Sequence, residues 1–262
     1  MDSLKNISNN IRKNTLDALF GAQSGHPGAS LSIAEILAVL FFSKMQLNGE
    51  ARDRFILSKG HAAPALYGAL AEMGACSKDM LPTLRKFESP LQGHPVRGTL
   101  PYIDASTGSL GQGLSMGIGY ALGIKLKKNR HRVYVLMGDG ETQEGQVWEA
   151  AMSAPKLGLD NLVAILDLNG FQNDGAVADT MPVEPVADKW RAFNWHVVTV
   201  DGHDVEALSN AFEDCRKALK PSLIIAKTVK GKGISFMEGK VSWHCQAINK
   251  LDYEKAIMEL SK

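Results

Sequence analysis

The chain has 262 residues, with 29 Lys and Arg against 28 Asp and Glu, and a formal net charge of +1. That length can bury a substantial core, and the near-neutral balance argues against a nucleic-acid partner or an anionic membrane surface. Three cysteines, Cys76, Cys215 and Cys245, without a Cys-x-x-Cys pair, point to a reducing compartment rather than a disulfide framework. The polar start, Met1-Asp-Ser-Leu-Lys-Asn, lacks the apolar segment of a signal peptide, so the expected location is the cytoplasm.

Leu4, Ile7, Ile11, Ala18 and Leu19 recur at roughly helical spacing and predict an opening amphipathic helix. A second helix is expected over 32–44. Its apolar part, Ile33 to Phe42, is too short to cross a membrane and holds Glu35. Phe55 to Leu57 reads as a short strand ending at Ser58-Lys-Gly-His61, and helices follow over 62–73 and 78–86. Residues 91–109 are rich in Gly and Pro and read as a long loop, of the kind that usually carries function. A glycine-rich helix is expected over 110–127, and the basic run from Lys125 to Arg132 reads as its solvated end. Strands near 133–137, 161–167, 195–200 and 222–228 then alternate with helical stretches, the first of them over about 144–157. This alternation predicts an α/β fold, a parallel sheet with helices on both faces. No repeat, low-complexity tract or linker interrupts it, so residues 1–262 read as a single domain.

The chemistry concentrates where strands run out. Asp139, between Gly138 and Gly140, closes one strand, and Asn169 closes another thirty residues later. Ligands of open α/β sheets bind at carboxyl ends of strands. Two oxygen ligands beside glycines suit a Mg²⁺ carrying phosphate oxygens. Each residue also has a local reading: Asp139 as a helix cap, Asn169-Gly170 as an Asx-turn. His26, His61, His94 and His244 lie in or near Gly- and Pro-rich segments, and their spacing fits no zinc pattern. Imidazoles there can donate to phosphate and exchange protons with substrate oxygens near neutral pH. His131, His196 and His203 have only a structural reading. Gly111-Gln-Gly113 and Gly138-Asp-Gly140 lack the third glycine of a dinucleotide fingerprint.

Gly-Asp-Gly followed by Asn at this interval resembles the signature of thiamine diphosphate enzymes, with Leu168-Asn169 in place of the usual Asn-Asn. Ser24-Gly-His-Pro-Gly28, Asp53 to His61, Gly93-His-Pro95, Ser106 to Gly113, Gly138 to Gln146 and Asp201-Gly-His-Asp204 resemble, in order, the amino-terminal domain of transketolases. The resemblance implies the thiamin diphosphate-binding fold, thiamine diphosphate and Mg²⁺ (or Ca²⁺ or Mn²⁺) as cofactors, and the backbone carbonyl of Phe171 as a third metal ligand. It implies that His61 and His244 touch the diphosphate, and that His26 and His94 meet the sugar, with His244 also counted among the catalytic residues. Gly108 and Leu110 would set backbone against the aminopyrimidine, and Gly138 and Gly140 would border the diphosphate. Glu144 would join a subunit contact, alongside its reading as a helix-dipole partner, and Glu149 would be structural or at that same contact. The family's usual isoleucine two residues after Phe171 is here Asn173.

The resemblance also implies what is missing. The pyrimidine-binding domain, with the glutamate that activates the cofactor, has no candidate here. The expected function is therefore that of the amino-terminal subunit of a split transketolase. Paired with a carboxyl-terminal-half subunit, two copies of each, it would transfer a two-carbon ketol unit between sugar phosphates. The alternatives are a deoxyxylulose-phosphate synthase type of carboligase, an oxo-acid dehydrogenase α subunit, or a non-catalytic relative that binds cofactor or partner.

Overall fold

The computed structural model describes residues 2–49 and 51–261. In chain order the helices and strands are α1 Asp2–Ala22, α2 Pro27–Leu31, α3 Ala34–Val39, β1 Arg54–Leu57, α4 Ala63–Glu72, α5 Gln112–Leu126, β2 Val133–Gly138, α6 Gly145–Lys156, β3 Leu162–Leu168, α7 Val177–Thr180, α8 Val186–Ala192, β4 His196–Asp201, α9 Val205–Lys217, β5 Ser222–Lys227 and α10 Lys250–Glu259. The five strands pair in parallel in the order β1-β2-β3-β5-β4.

The strands β1, β2, β3 and β5 are largely buried because they are apolar on both faces, as a doubly covered parallel sheet demands, whereas the edge strand β4 is only partly buried. Successive side chains serve opposite cores. Phe55, Leu57, Tyr134, Leu136, Val163, Ile165, Ile224 and Ala226 join one cluster, with α1, α3, α4 and α9. Ile56, Val133, Val135, Met137, Leu162, Ala164, Leu166, Leu223 and Ile225 join the other, with α5, α6 and α8. The predicted layers and strands are thus present.

Local corrections have local causes. The expected helix over 78–86 is only a 3₁₀ turn, Lys78–Thr83, because Pro82 lies inside it and removes a donor. The expected helix over 32–44 is α3 continued by a π-turn, Leu40–Lys44, with the short α2 before it, started by Pro27. A 3₁₀ turn, Gly140–Gln143, precedes α6, whose N-cap is Glu144. Close packing explains Gly117, where a Cβ would lie 2.5 Å from Val135 Cγ2, but not Gly119, which faces open space.

The connections aim the site. The chain leaves β1 towards α4 on one face and its neighbour β2 towards α6 on the other. Such a reversal opens a crevice at the carboxyl ends of the strands.

Candidate active site

A cleft of about 420 Å³ opens at those ends, bordered by His26, His61, His94 and His244, by Asp139 and Asn169, and by Lys59 and Lys230. Gly108, Leu110, Gly138, Gly140, Phe171, Asn173 and Glu144 also line it. The fold therefore brings together every residue singled out from the sequence except Glu149, which is exposed on α6.

Asp139 is 2 % exposed at the end of β2. Its Oδ1 accepts from Gly140 N at 2.8 Å and its Oδ2 from Gly170 N at 2.6 Å. The first bond is the cap read from the sequence; the second ties the β2 end to the turn after β3. Among the described residues no basic group lies within ion-pair distance of it. Burial, and then the charge of Asp167, push its carboxyl up to about 6. Lys59 acts on it only from beyond ion-pair distance, so a cation placed at its oxygens would lower its pKa further.

The turn after β3 offers further oxygens. Asn169 Oδ1 accepts from Phe171 N at 3.1 Å, the expected Asx-turn, and its Nδ2 donates to Asp167 Oδ2 at 2.8 Å. Phe171 sits opposite Ala176 in an isolated bridge. The bonds of that bridge run from Gln172 N to Gly175 O and from Val177 N to Gly170 O, so the Phe171 carbonyl takes no part in them. Gly170, with φ +80°, supplies the left-handed step that lets this turn close beside Asp139. One carboxylate, one amide oxygen and one free carbonyl form an all-oxygen donor set, which fits a hard divalent ion completed by phosphate. Among the described residues no group of three or more His, Cys, Asp or Glu could hold a metal by itself.

The histidines form a second group. The rings of His26 and His61 lie 5.1 Å apart, those of His26 and His244 5.5 Å, and those of His61 and His244 5.6 Å. His26 Nδ1 is buried without a hydrogen-bond partner. Burial first, then neighbouring cations, lowers His26 to about 4 and His244 to about 3; the same causes hold His61 well below its ordinary value and lower His94. All four are therefore neutral near pH 7, each with one donor and one acceptor nitrogen. His94 is held by the long loop and packs on Gly108, where φ is +150° and a Cβ would meet its ring at 3.2 Å.

Several groups at the site escaped the sequence reading. Lys59, 1 % exposed, pairs with Asp167 Oδ2. Asp167 also accepts from Ser32 Oγ at 2.8 Å and from Thr228 Oγ1. Burial would raise Asp167, but the Lys59 charge and these hydrogen bonds lower it. Glu141 accepts from Ser58 Oγ, from Gly111 N at 2.9 Å and from Gly138 N at 3.1 Å, so it joins the ends of β1 and β2 to the start of α5. Lys230, buried in the loop after β5, places Nζ 2.7 Å from His244 Nδ1 and 3.4 Å from Gln172 O. Burial, then repulsion from Lys59, lowers it to about 8. The available signals were a charged residue inside an apolar strand, for Asp167, and lysines two or three residues past a strand and next to glycine, for Lys59 and Lys230.

Comparison with known proteins agrees with this arrangement. The family described as transketolase, thiamine diphosphate binding domain, matches residues 3–260. A 6-deoxy-6-sulfo-D-fructose transketolase subunit from Clostridium sp. (strain MSTE9) is 43% identical, covering 99% of this chain and 96% of that protein. One of the subunits of an apulose-4-phosphate transketolase, from Phocaeicola vulgatus, is 40% identical, covering 100% and 95%. Transketolase from Homo sapiens is 44% identical, and this chain spans 42% of its length. The solved transketolase from Leishmania mexicana superposes with a TM-score of 0.93 at 30% identity, covering 99% of this chain and 41% of that one. With Asp139, Asn169 and the four histidines gathered at one crevice, the chain belongs to the transketolase family, as its thiamine diphosphate-binding, amino-terminal-type part.

Proposed function

We propose that residues 1–262 act as one domain that holds the diphosphate and metal end of thiamine diphosphate and, with a second polypeptide, transfers a two-carbon ketol unit from an anionic ketose to an aldose acceptor. The observation that carries this reading is Asp139, a buried acid with no cation of its own, hydrogen-bonded to the turn that presents Asn169 Oδ1 and the Phe171 carbonyl. These three oxygens would hold Mg²⁺, or Ca²⁺ or Mn²⁺ in its place. Gly138 and Gly140 let the diphosphate approach the backbone. The cofactor, when bound, supplies the nucleophilic carbon and the electron sink.

The chain's own residues bind, orient and move protons. Neutral His61 and His244 donate to diphosphate oxygens, and Lys230, beside His244, adds a positive charge there. His26, with an unpartnered Nδ1, and His94, exposed at the mouth, exchange protons with the sugar's carbonyl and hydroxyls. Gly108 and Leu110 turn backbone groups to the aminopyrimidine. Asn173, exposed at the rim and bonded to Asp174 Oδ1 at 3.0 Å, meets solvent or substrate rather than packing on the cofactor.

The second polypeptide covers α5 and the start of α6. Gly119 and Gly123 face open space, Leu126 is 76 % exposed, and Arg54, Arg97 and Lys127 border the same groove. Glu144 and Glu149 lie on this side as contact residues. Two copies of each subunit would assemble around two cofactors. No described helix is long and apolar enough to cross a membrane; free Cys76, Cys215 and Cys245 support a cytoplasmic site of action. The relatives matched over nearly their full length are named for a sulfo-sugar and a sugar phosphate, which supports an anionic substrate. Co-purification from the native host should recover a pyrimidine-binding subunit. The pair should convert a ketose phosphate, not pyruvate, and the lone chain should be silent. Turnover by the rigorously purified single chain would refute the division of labour.

A further inference from the structure

His203 lies beneath the cleft rather than in its lining, in the motif Asp201-Gly-His-Asp204 whose purpose the site leaves unexplained. Its Nε2 accepts a hydrogen bond from Val229 N at 2.8 Å, and its Nδ1 lies 3.0 Å from Glu35 Oε2. Because Nε2 is the acceptor of a backbone N–H, the ring proton sits on Nδ1 and is donated to Glu35. Glu35, an acid inside the apolar helix α3, also accepts from Arg12 Nη2 at 2.6 Å. Arg12 and Glu35 are both buried. Burial would raise Glu35, yet the His203 hydrogen bond and the Arg12 charge hold it down at about 2. An anion fixed in this way orients the imidazole, much as a carboxylate orients a metal-ligating histidine.

The segment this strut supports leads directly into the site. Val229 precedes Lys230. On one side Thr228 is tied to Asp167 through its hydroxyl and to Leu168 O through its amide at 3.2 Å. On the other side Gly231 N donates to Gly28 O at 3.0 Å, within the Ser24 to Gly28 motif. Gly202 must be glycine, because a Cβ there would overlap Thr228. Gly233, at φ +93°, packs against Arg12, the far end of the same strut.

We propose that His203, oriented by Glu35 and Arg12, is a positioning residue that fixes the backbone at Val229 and thereby aims the Lys230 ammonium at the cofactor's diphosphate. The inference rests on the reading of Lys230 given above. Without His203 the Val229 N–H loses its partner, and the backbone beside Lys230 loses one of its anchors. Weakened cofactor binding should follow, with the chemistry itself little changed once cofactor saturates.

The test uses the full chain assembled with its partner subunit. His203→Ala should raise the calorimetric Kd for thiamine diphosphate about tenfold at saturating Mg²⁺, with kcat at saturating cofactor within about twofold of the parent. His203→Gln, which can accept from Val229 and donate to Glu35, should recover most of the affinity. In a Lys230→Met background, His203→Ala should add less than twofold, because groups acting through one another are not additive. Deuterium exchange on the full chain should quicken at 228–231 in His203→Ala. Glu35→Gln should give a smaller loss with the same non-additivity, and it carries the test if His203→Ala does not fold. Additive losses, or unaltered exchange at 228–231, would overturn the positioning role. Unchanged affinity in Lys230→Met would overturn the reading of Lys230 itself; unchanged affinity in His203→Ala beside a weakened Lys230→Met would overturn only the role of His203.

Discussion

The two ends of the parallel sheet both bury acids, but they treat the charge differently. At the amino end, Asp104 takes Arg52 through two bonds of 2.8 and 3.0 Å and Arg54 through one of 2.9 Å. Asp53 there accepts from Gln46 N and Arg132 N, with His131 Nδ1 3.4 Å away. At the carboxyl end Asp167 has Lys59 as an ion-pair partner, but Asp139 has two backbone N–H bonds and the Lys59 charge only at longer range, while burial and then the charge of Asp167 raise its pKa. A buried charge neutralised within its own chain holds structure together. One left open marks where a ligand completes the electrostatics. The contrast is between Asp104 and Asp139; Asp53 and Glu141, buried acids held largely by backbone N–H groups, fall between those two extremes.

The largest expected effect falls on the open acid. Asp139→Ala should raise the Kd for thiamine diphosphate at fixed Mg²⁺ at least about a hundredfold, since removing one partner of a buried charge pair costs about 3–5 kcal/mol. Without ligand the same variant should melt no lower than the parent, because the uncompensated charge is gone. Calorimetric titration and a melting curve decide it, and unchanged cofactor affinity would sink the metal assignment.

Within the cleft, His26→Ala and His94→Ala should cut kcat about a hundredfold, the usual scale for losing a proton-transfer group, with little change in cofactor affinity. His61→Ala should harm both. Steady-state kinetics across a cofactor titration would show three equal profiles if the division of labour is wrong.

Asp104→Asn should give the mirror image of Asp139→Ala. It should cost about 2 kcal/mol of stability by removing the buried charge that Arg52 and Arg54 share, while the calorimetric Kd for thiamine diphosphate stays within about twofold. A comparable loss of cofactor affinity would erase the distinction between the two ends.

Much of the contrast could be read in the sequence, and the unreadable part has a physical cause. Strand order was not legible, but the strands were, because most are short apolar runs rich in Val, Ile and Leu that alternate with helical stretches. Asp139 and Asn169 stood out because both interrupt such runs at their ends. Lys59, Glu141 and Lys230 did not, since their meaning lies in partners far away in the chain. Glu141 reaches back to Ser58, and Lys230 reaches forward to His244. The step between α2 and α3 at 32–33 and the π-turn at 40–44 were invisible because the stretch around them is largely apolar and helix-compatible, and only packing decides where it bends.

The smallest expected effect is a pH dependence that separates the histidines from Asp139. His26 and His244 stand at about 4 and about 3 in the folded chain, below the ordinary 6.5. An unfolded chain takes up protons near pH 6.5 that the folded chain refuses until it is far more acid. Their contribution is therefore present above pH 6.5 and is lost as pH falls towards 3–4. Asp139, raised to about 6 from 3.8, works in the opposite direction: between those values the folded chain keeps a proton that the unfolded chain has released. Its contribution grows as pH drops from about 6 to about 4. Both groups are half-buried or buried at the carboxyl end, so each can be removed without touching the amino-end network. For the ligand-free chain, His244→Asn should flatten the fall of Tm between pH 7.5 and 5. Asp139→Asn should steepen it, because an acid that gains from acidification is gone, leaving Glu141, which burial also raises. Scanning calorimetry at half-unit pH steps resolves the slopes. Identical slopes for the parent and both variants would mean that neither group is as shielded from water as its burial implies, and the comparison between the ends of the sheet would lose its electrostatic basis.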